Sequence, residues 1–154
     1  MVNTRTKTKR NAKKITQAII ISFFIMVIFQ AFLGIAYVTG ESMQPTYENG
    51  DIILFKKWAA PRKGDIVTAY VDEIDAVVIK RVFATEGDHL KFAQNAVYIN
   101  GKYMEIKNTK ETELTVPANH YFLIGDNGAY SQDSRNFGCV GKSSIQGIVI
   151  RKIL

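Results

Sequence analysis

Three short stretches of this 154-residue chain carry side chains able to do chemistry. The first, Gly40-Glu41-Ser42-Met43-Gln44-Pro45-Thr46, offers the hydroxyl of Ser42, which alone reads as a helix-capping or turn residue. The second, Val78-Ile79-Lys80-Arg81-Val82 followed by Gly87-Asp88, sets a lysine inside an otherwise apolar strand. Lysine is seldom buried, so Lys80 either faces water or has a chemical task. The third, Gly125-Asp126-Asn127 with Ser131, Asp133-Ser134-Arg135 and Gly138, is dense in turn residues and hydroxyls. A serine hydroxyl is a weak nucleophile until a neighbouring base takes its proton. Lysine can be that base only when its amine is neutral, and a reference pKa of about 10.4 leaves little neutral amine at pH 7. Burial in apolar surroundings lowers a lysine pKa enough to change that.

Other reactive residues are sparse. His89 follows a Gly-Asp turn and His120 precedes Tyr-Phe-Leu-Ile, and neither belongs to a motif with a nucleophile. No His, Cys, Asp or Glu residues cluster with the spacing of metal ligands. The single cysteine, Cys139, excludes an intrachain disulfide and reads as a small buried residue beside Gly138. The net charge of +6 lies wholly in the N-terminal tail, where Arg5, Lys7, Lys9, Arg10, Lys13 and Lys14 face no acid. Residues 41–154 hold fourteen bases and fourteen acids, so they offer no basic field for a phosphate backbone. Nucleic acid is excluded as a partner on that ground.

The elements that must position these stretches follow from hydropathy. From Ile15 to Val38 run 24 residues without a formal charge. As a helix they span about 36 Å, enough to cross a hydrocarbon core of about 30 Å. The preceding basic cluster predicts a cytoplasmic N-terminus and places residues after 40 outside. Gly34-Ile35-Ala36 has the small residues of a signal-peptide cleavage site, but the apolar run exceeds the usual 7–15-residue core, which favours a retained anchor. The expected organisation is therefore a basic tail over 1–14, an anchor over 15–38 and an extracytoplasmic domain over 39–154. That domain reads as short strands, among them Asp51–Phe55, Asp65–Val71, Ala76–Phe83, Tyr121–Ile124 and Gly147–Ile153. Asn100-Gly101 between Val97-Tyr98-Ile99 and Lys102-Tyr103-Met104 predicts a tight hairpin. No segment after 40 sustains a 3.6-residue apolar period, so the expected fold class is mainly β, one transmembrane helix followed by an all-β domain.

Taken together and in this order, the three stretches resemble the boxes of the bacterial type I signal peptidases, membrane-bound serine proteases. That family has a Ser-Met-x-Pro-Thr box, a Lys-Arg-Val box and a Gly-Asp-Asn-x-x-x-Ser-x-Asp-Ser-Arg box. Lys63-Gly64-Asp65-Ile66-Val67 matches a further one, and the resemblance covers essentially the whole chain. It implies Ser42 as nucleophile, Lys80 as general base, and Ser131 as the hydroxyl that hydrogen-bonds and orients the lysine amine. Arg81, Asp126, Asp133 and Arg135 would form supporting salt bridges, and Met43 and Ile79 would help line the substrate pockets. The oxyanion hole would use the backbone N–H of Ser42; some family members add a serine hydroxyl two residues earlier, where this chain has Gly40. The family's Gly and Pro after the lysine box are Ala84 and Glu86 here. The implied partners are preprotein signal peptides with Ala-x-Ala type cleavage sites and a lipid bilayer, with no cofactor and no metal. The location implied is the cell membrane, crossed once. The competing class is a pilus-associated relative acting as an assembly factor or chaperone; those lack the serine and lysine that this chain keeps.

Overall fold

The computed structural model describes residues 3–93, 96–106 and 110–154. Two compact units divide the chain, residues 1–33 and 34–154.

The first unit is one helix, α1 (Asn3–Phe32). Between Lys13 and Phe32 it is apolar, long enough to cross a membrane, and without a buried residue. The helix stops at Phe32 rather than running on to Val38. Leu33–Tyr37 instead form strand β1, because the backbone there has a strand partner.

The second unit holds the sheets. After β1 come β2 (Ile52–Lys56), β3 (Ile66–Val71), β4 (Ala76–Thr85), β5 (His89–Ala93), β6 (Ala96–Ile99) and β7 (Lys102–Glu105). Then follow β8 (Thr112–Thr115), β9 (His120–Ile124), the one-turn helix α2 (Ser134–Phe137), β10 (Val140–Gly141) and β11 (Ile145–Lys152). Seven strands pair in the order β1-β2-β11-β3-β4-β9-β10, and four in the order β7-β6-β5-β8. The hairpin foreseen at Asn100-Gly101 joins β6 to β7, with φ of 50° and 82° at its two central residues, as a mirror-image turn demands. Helix α2 went unforeseen because four residues are too few to show a period.

Strand β9 is central to the packing. Its alternate residues serve two cores: Phe122 and Ile124 join Ala84, Leu90, Phe92, Val97 and Val116, while Tyr121 and Leu123 join Val67, Ala69, Val71, Val82 and Val140. Burial on both faces explains why Tyr121–Ile124 is an unbroken apolar run. Strand β4 reaches both cores by a different device. Its register to β9 shifts between Val82 and Ala84, so a bulge at Phe83 sends these two residues to opposite faces. Ala84 is thus a core residue, and the Glu86 carboxylate accepts a bond from Asn119 N at 2.7 Å, which holds the turn where the family has Gly and Pro. Cys139 is half-buried against the first core.

Candidate active site

The serine sits on a turn that is braced before and behind. Past β1, Val38 N donates to Asp51 O at 2.8 Å and Gly50 N to Val38 O at 2.9 Å. Gly40 then takes φ +86°, a conformation that penalises any side chain, and its N–H donates to Asn49 Oδ1 at 2.9 Å. Gln44 N donates to Glu41 O at 3.1 Å and Tyr47 N to Met43 O at 2.9 Å, which curls residues 41–47 into a compact turn. Met43, only 1% exposed, anchors that turn in the interior. The turn rests on the third stretch: Asn127 N donates to Ser42 O at 2.9 Å, and Asn127 Nδ2 to Glu41 O at 3.1 Å. A Cβ on Gly125 would lie 2.5 Å from Ser42 O and 2.2 Å from Ser131 Oγ, so only glycine lets these segments meet.

The lysine comes from β4. Lys80 pairs with Val67 of β3, but pairing with β9 begins at Arg81 opposite Ile124. Among the described residues, Ala76–Lys80 therefore has a strand neighbour on one side only. Lys80 is 4% exposed, and its Nζ donates to Ser42 Oγ at 2.7 Å. Burial pushes the Lys80 pKa down; Asp133 and Asp126 pull it up, and Arg135 opposes them. Desolvation is the largest of these effects and sets the direction.

Those partners are two ion pairs. Asp133 caps α2 and accepts from Gly125 N at 3.0 Å and from Arg135 Nε and Nη2 at 2.8 Å each. Burial raises the Asp133 carboxyl, but its bonds to Arg135 and Gly125 prevail and hold it below its ordinary range. Arg135 Nη2 also reaches Gly128 O at 3.0 Å, and Ser134 Oγ accepts from Leu123 N at 2.9 Å, tying the loop to β9. The second pair is a two-point fork, Arg81 Nε to Asp126 Oδ1 and Nη2 to Oδ2, both 2.7 Å. Asp126 Oδ2 also accepts the Thr46 hydroxyl, which links the serine turn to the strand carrying the lysine. Burial raises Asp126, and the Arg81 and Thr46 bonds overcome it to hold the carboxyl down.

Not every expected contact is made. The Ser131 hydroxyl is buried and lies near enough to Asp133 to help hold that carboxyl down, yet among the described residues it makes no well-aligned hydrogen bond, to Lys80 or to any other group. The bond from Ser131 to the lysine amine is thus absent from this structure. Met43 is packed inside and does not wall an open groove, whereas Ile79 keeps part of its surface exposed. His89 pairs with Glu113 at 2.9 Å across β5 and β8, and His120 Nδ1 lies 2.8 Å from Ala118 O. Thr46 and Asn127 were the bracing residues left unassigned, although both stand inside the quoted motifs. Asp88 is another, accepting from Thr85 N, Asn100 Nδ2 and Lys63 Nζ beneath the turn after β4.

A β domain in which a buried lysine touches a serine hydroxyl, entered through one apolar helix, has the parts of a membrane-anchored serine hydrolase. Residues 9–153 match the model of the family described as signal peptidase, peptidase S26, and the chain belongs to that family. It is a serine endopeptidase of that family, anchored to a membrane. Among its relatives is the signal peptidase I of Bacillus licheniformis, 32% identical over 92% of this chain and 88% of that one. Signal peptidase I T of Bacillus subtilis (strain 168) is 31% identical over 92% and 89%, and signal peptidase IB of Staphylococcus aureus 27% over 86% and 84%. The crystal structure of a signal peptidase I from Enterococcus faecalis V583 superposes with a TM-score of 0.52 at 26% identity, over 60% of this chain and 98% of that one.

Proposed function

We propose that this chain removes signal peptides from exported preproteins, with Ser42 as nucleophile and Lys80 as general base. The observation that carries the reading is the 2.7 Å contact between Ser42 Oγ and the amine of a lysine only 4% exposed. Once neutral, that amine turns the contact around and accepts the serine proton as Oγ attacks the scissile carbonyl. The lowered Lys80 pKa gives the rate an acid limb, activity rising as pH rises through it. The tetrahedral oxyanion then faces the Ser42 N–H, and the lysinium returns its proton to the leaving amine. Ser131 is assigned to take up the amine in the substrate complex, since catalytic hydrogen bonds commonly tighten only there.

The unpaired side of Ala76–Lys80 suits an extended substrate, which adds as a strand and brings its cleaved bond beside Lys80. Ile79, with Met43 beneath the turn, would then limit the pockets to small side chains of the Ala-x-Ala type. Arg81–Asp126 and Asp133–Arg135 are assigned supporting roles, holding the two segments in register. The helix is assigned as a single span, tail inside and catalytic domain outside, because the basic residues precede it.

The test is direct. Detergent-solubilised protein is incubated with a preprotein and the new N-terminus is sequenced. Cleavage after an Ala-x-Ala site is expected, with Ser42→Ala and Lys80→Ala each lowering the rate by more than about 10³-fold while thermal unfolding persists. Near wild-type cleavage by either variant would overturn the assignment.

A further inference from the structure

With Gly40 in place of a serine, the oxyanion rests on one expected donor, the Ser42 N–H. Removing a single such donor from a hydrolase costs roughly 10²–10³ in rate, so its direction and strength matter. The N–H of Ser42 shares a rigid peptide plane with the carbonyl of Glu41, and in a trans peptide the two groups point in opposite directions. Whatever grips Glu41 O therefore aims Ser42 N–H. Two donors grip it, each at 3.1 Å: Gln44 N from within the turn and Asn127 Nδ2 from across it, the latter being the only side chain of the two. The same residue's backbone N–H holds the next plane, donating to Ser42 O at 2.9 Å. Asn127 thus clasps the peptide on each side of the nucleophile, and a hydrogen bond to a carbonyl also strengthens the donor at the other end of that amide. Its own position is held in turn, since Gly125, two residues back, lies against Ser42 O and is fixed by Asp133. The Asn127 side chain is half-buried and has no proton to take or give in the reaction.

We infer that the Asn127 carboxamide is a positioning residue that aims and polarises the Ser42 N–H as the oxyanion donor. Gly40 and Asn127 then form a matched pair: the chain lacks the extra hydroxyl and fixes its backbone donor instead. The inference rests on Ser42 being the nucleophile.

Asn127→Ala keeps the backbone bond to Ser42 O and deletes only the side-chain grip. For the full chain in detergent we expect kcat for a signal-peptide substrate to fall about 10- to 50-fold, a fraction of the loss of a whole oxyanion donor, with KM changed less than about threefold. A peptide aldehyde, whose hemiacetal places an oxyanion on the site, should lose affinity by the same factor, and an uncleaved substrate-like peptide should not. The midpoint of the acid limb should stay in place, because Asn127 does not touch Lys80. Asn127→Gln, which keeps the donor, should recover part of the rate. Asn127→Asp, of the same shape but without the donor, should be at least as slow as the alanine variant, and equal thermal unfolding of both would exclude misfolding. Unchanged kcat, a loss confined to KM, a moved pH midpoint or an unaltered aldehyde affinity would each overturn the inference. An active Ser42→Ala protein would instead overturn the underlying assignment.

Discussion

Lys80 is kept at a cost to folding. A cation inside a strand core forfeits hydration, and among the described residues no carboxylate forms an ion pair with its amine; its hydrogen-bond partner is the neutral Ser42 hydroxyl. Because its folded pKa lies below the usual 10.5, the unfolded chain binds more protons in the window between the two values. Stability of the wild type therefore climbs as pH rises through that window, and the penalty is complete below it. Lys80→Met has a similar stem and no charge. It should abolish cleavage yet raise Tm by roughly 3 °C or more near pH 6, an advantage that shrinks toward pH 10. Differential scanning calorimetry at both pH values measures it, and a Tm below wild type at pH 6 would show that the amine contributes stability instead. At this scale the sequence was legible wherever a residue type was improbable in its setting, as a lysine between Ile79 and Val82 is. That the Ser131 hydroxyl makes no bond to the lysine amine in this structure was not legible, because hydroxyl contacts depend on loop geometry at the ångström level.

The elements act as arms that bring distant stretches together. Ser42 follows β1 and Lys80 lies in β4, with β2, β11 and β3 between them in the sheet, so the turn after β1 must be carried across and fixed. The Gly125–Asn127 segment after β9 does the fixing, through Asn127 at the Ser42 backbone and through Thr46–Asp126–Arg81 further along the turn. Deleting the Thr46 hydroxyl should loosen the turn without disturbing Lys80 or the cores. Thr46→Val is expected to reduce kcat/KM about 5- to 20-fold, consistent with one charge-assisted bond of roughly 1–2 kcal/mol, and Thr46→Ser to restore most of it. Progress curves with one preprotein decide it: equal rates for Val and wild type would make Thr46 a surface residue only. Strands such as β3 and the β6–β7 hairpin could be read from residue type, since alternation and Asn-Gly are local signals. The bulge at Phe83 could not, because it depends on which faces of β4 the two cores require. The end of α1 was equally hidden: Leu33–Tyr37 are as apolar as the helix before them, and only pairing with β2 marks them as strand.

For the whole molecule, the transition at Phe32 bears on whether the N-terminal segment is kept. Gly34 packs so closely on Phe55 that a Cβ there would lie 2.2 Å from the ring, and Ala36 sits in the same strand. Gly34, one of the two small residues that imitate a cleavage site, thus has a packing reason. Cutting after Ala36 would remove most of β1 and strip β2 of its partner strand on that side of the sheet. Retention is therefore expected, with Lys13–Phe32 as the span; its 20 residues make a helix of about 30 Å, the thickness of the hydrocarbon core. Orientation should follow the tail, whose six bases lie within fifteen residues of the apolar run and face no acid. In spheroplasts, added protease should degrade the domain after Gly40 and spare an epitope placed ahead of Arg5. Changing all six tail bases to glutamine should leave a substantial fraction of chains inverted, with that epitope now cleaved, since the charge bias is what sets direction. A protected domain and an accessible epitope in the unaltered protein would reverse the proposed topology and remove the catalytic site from the side where exported chains emerge.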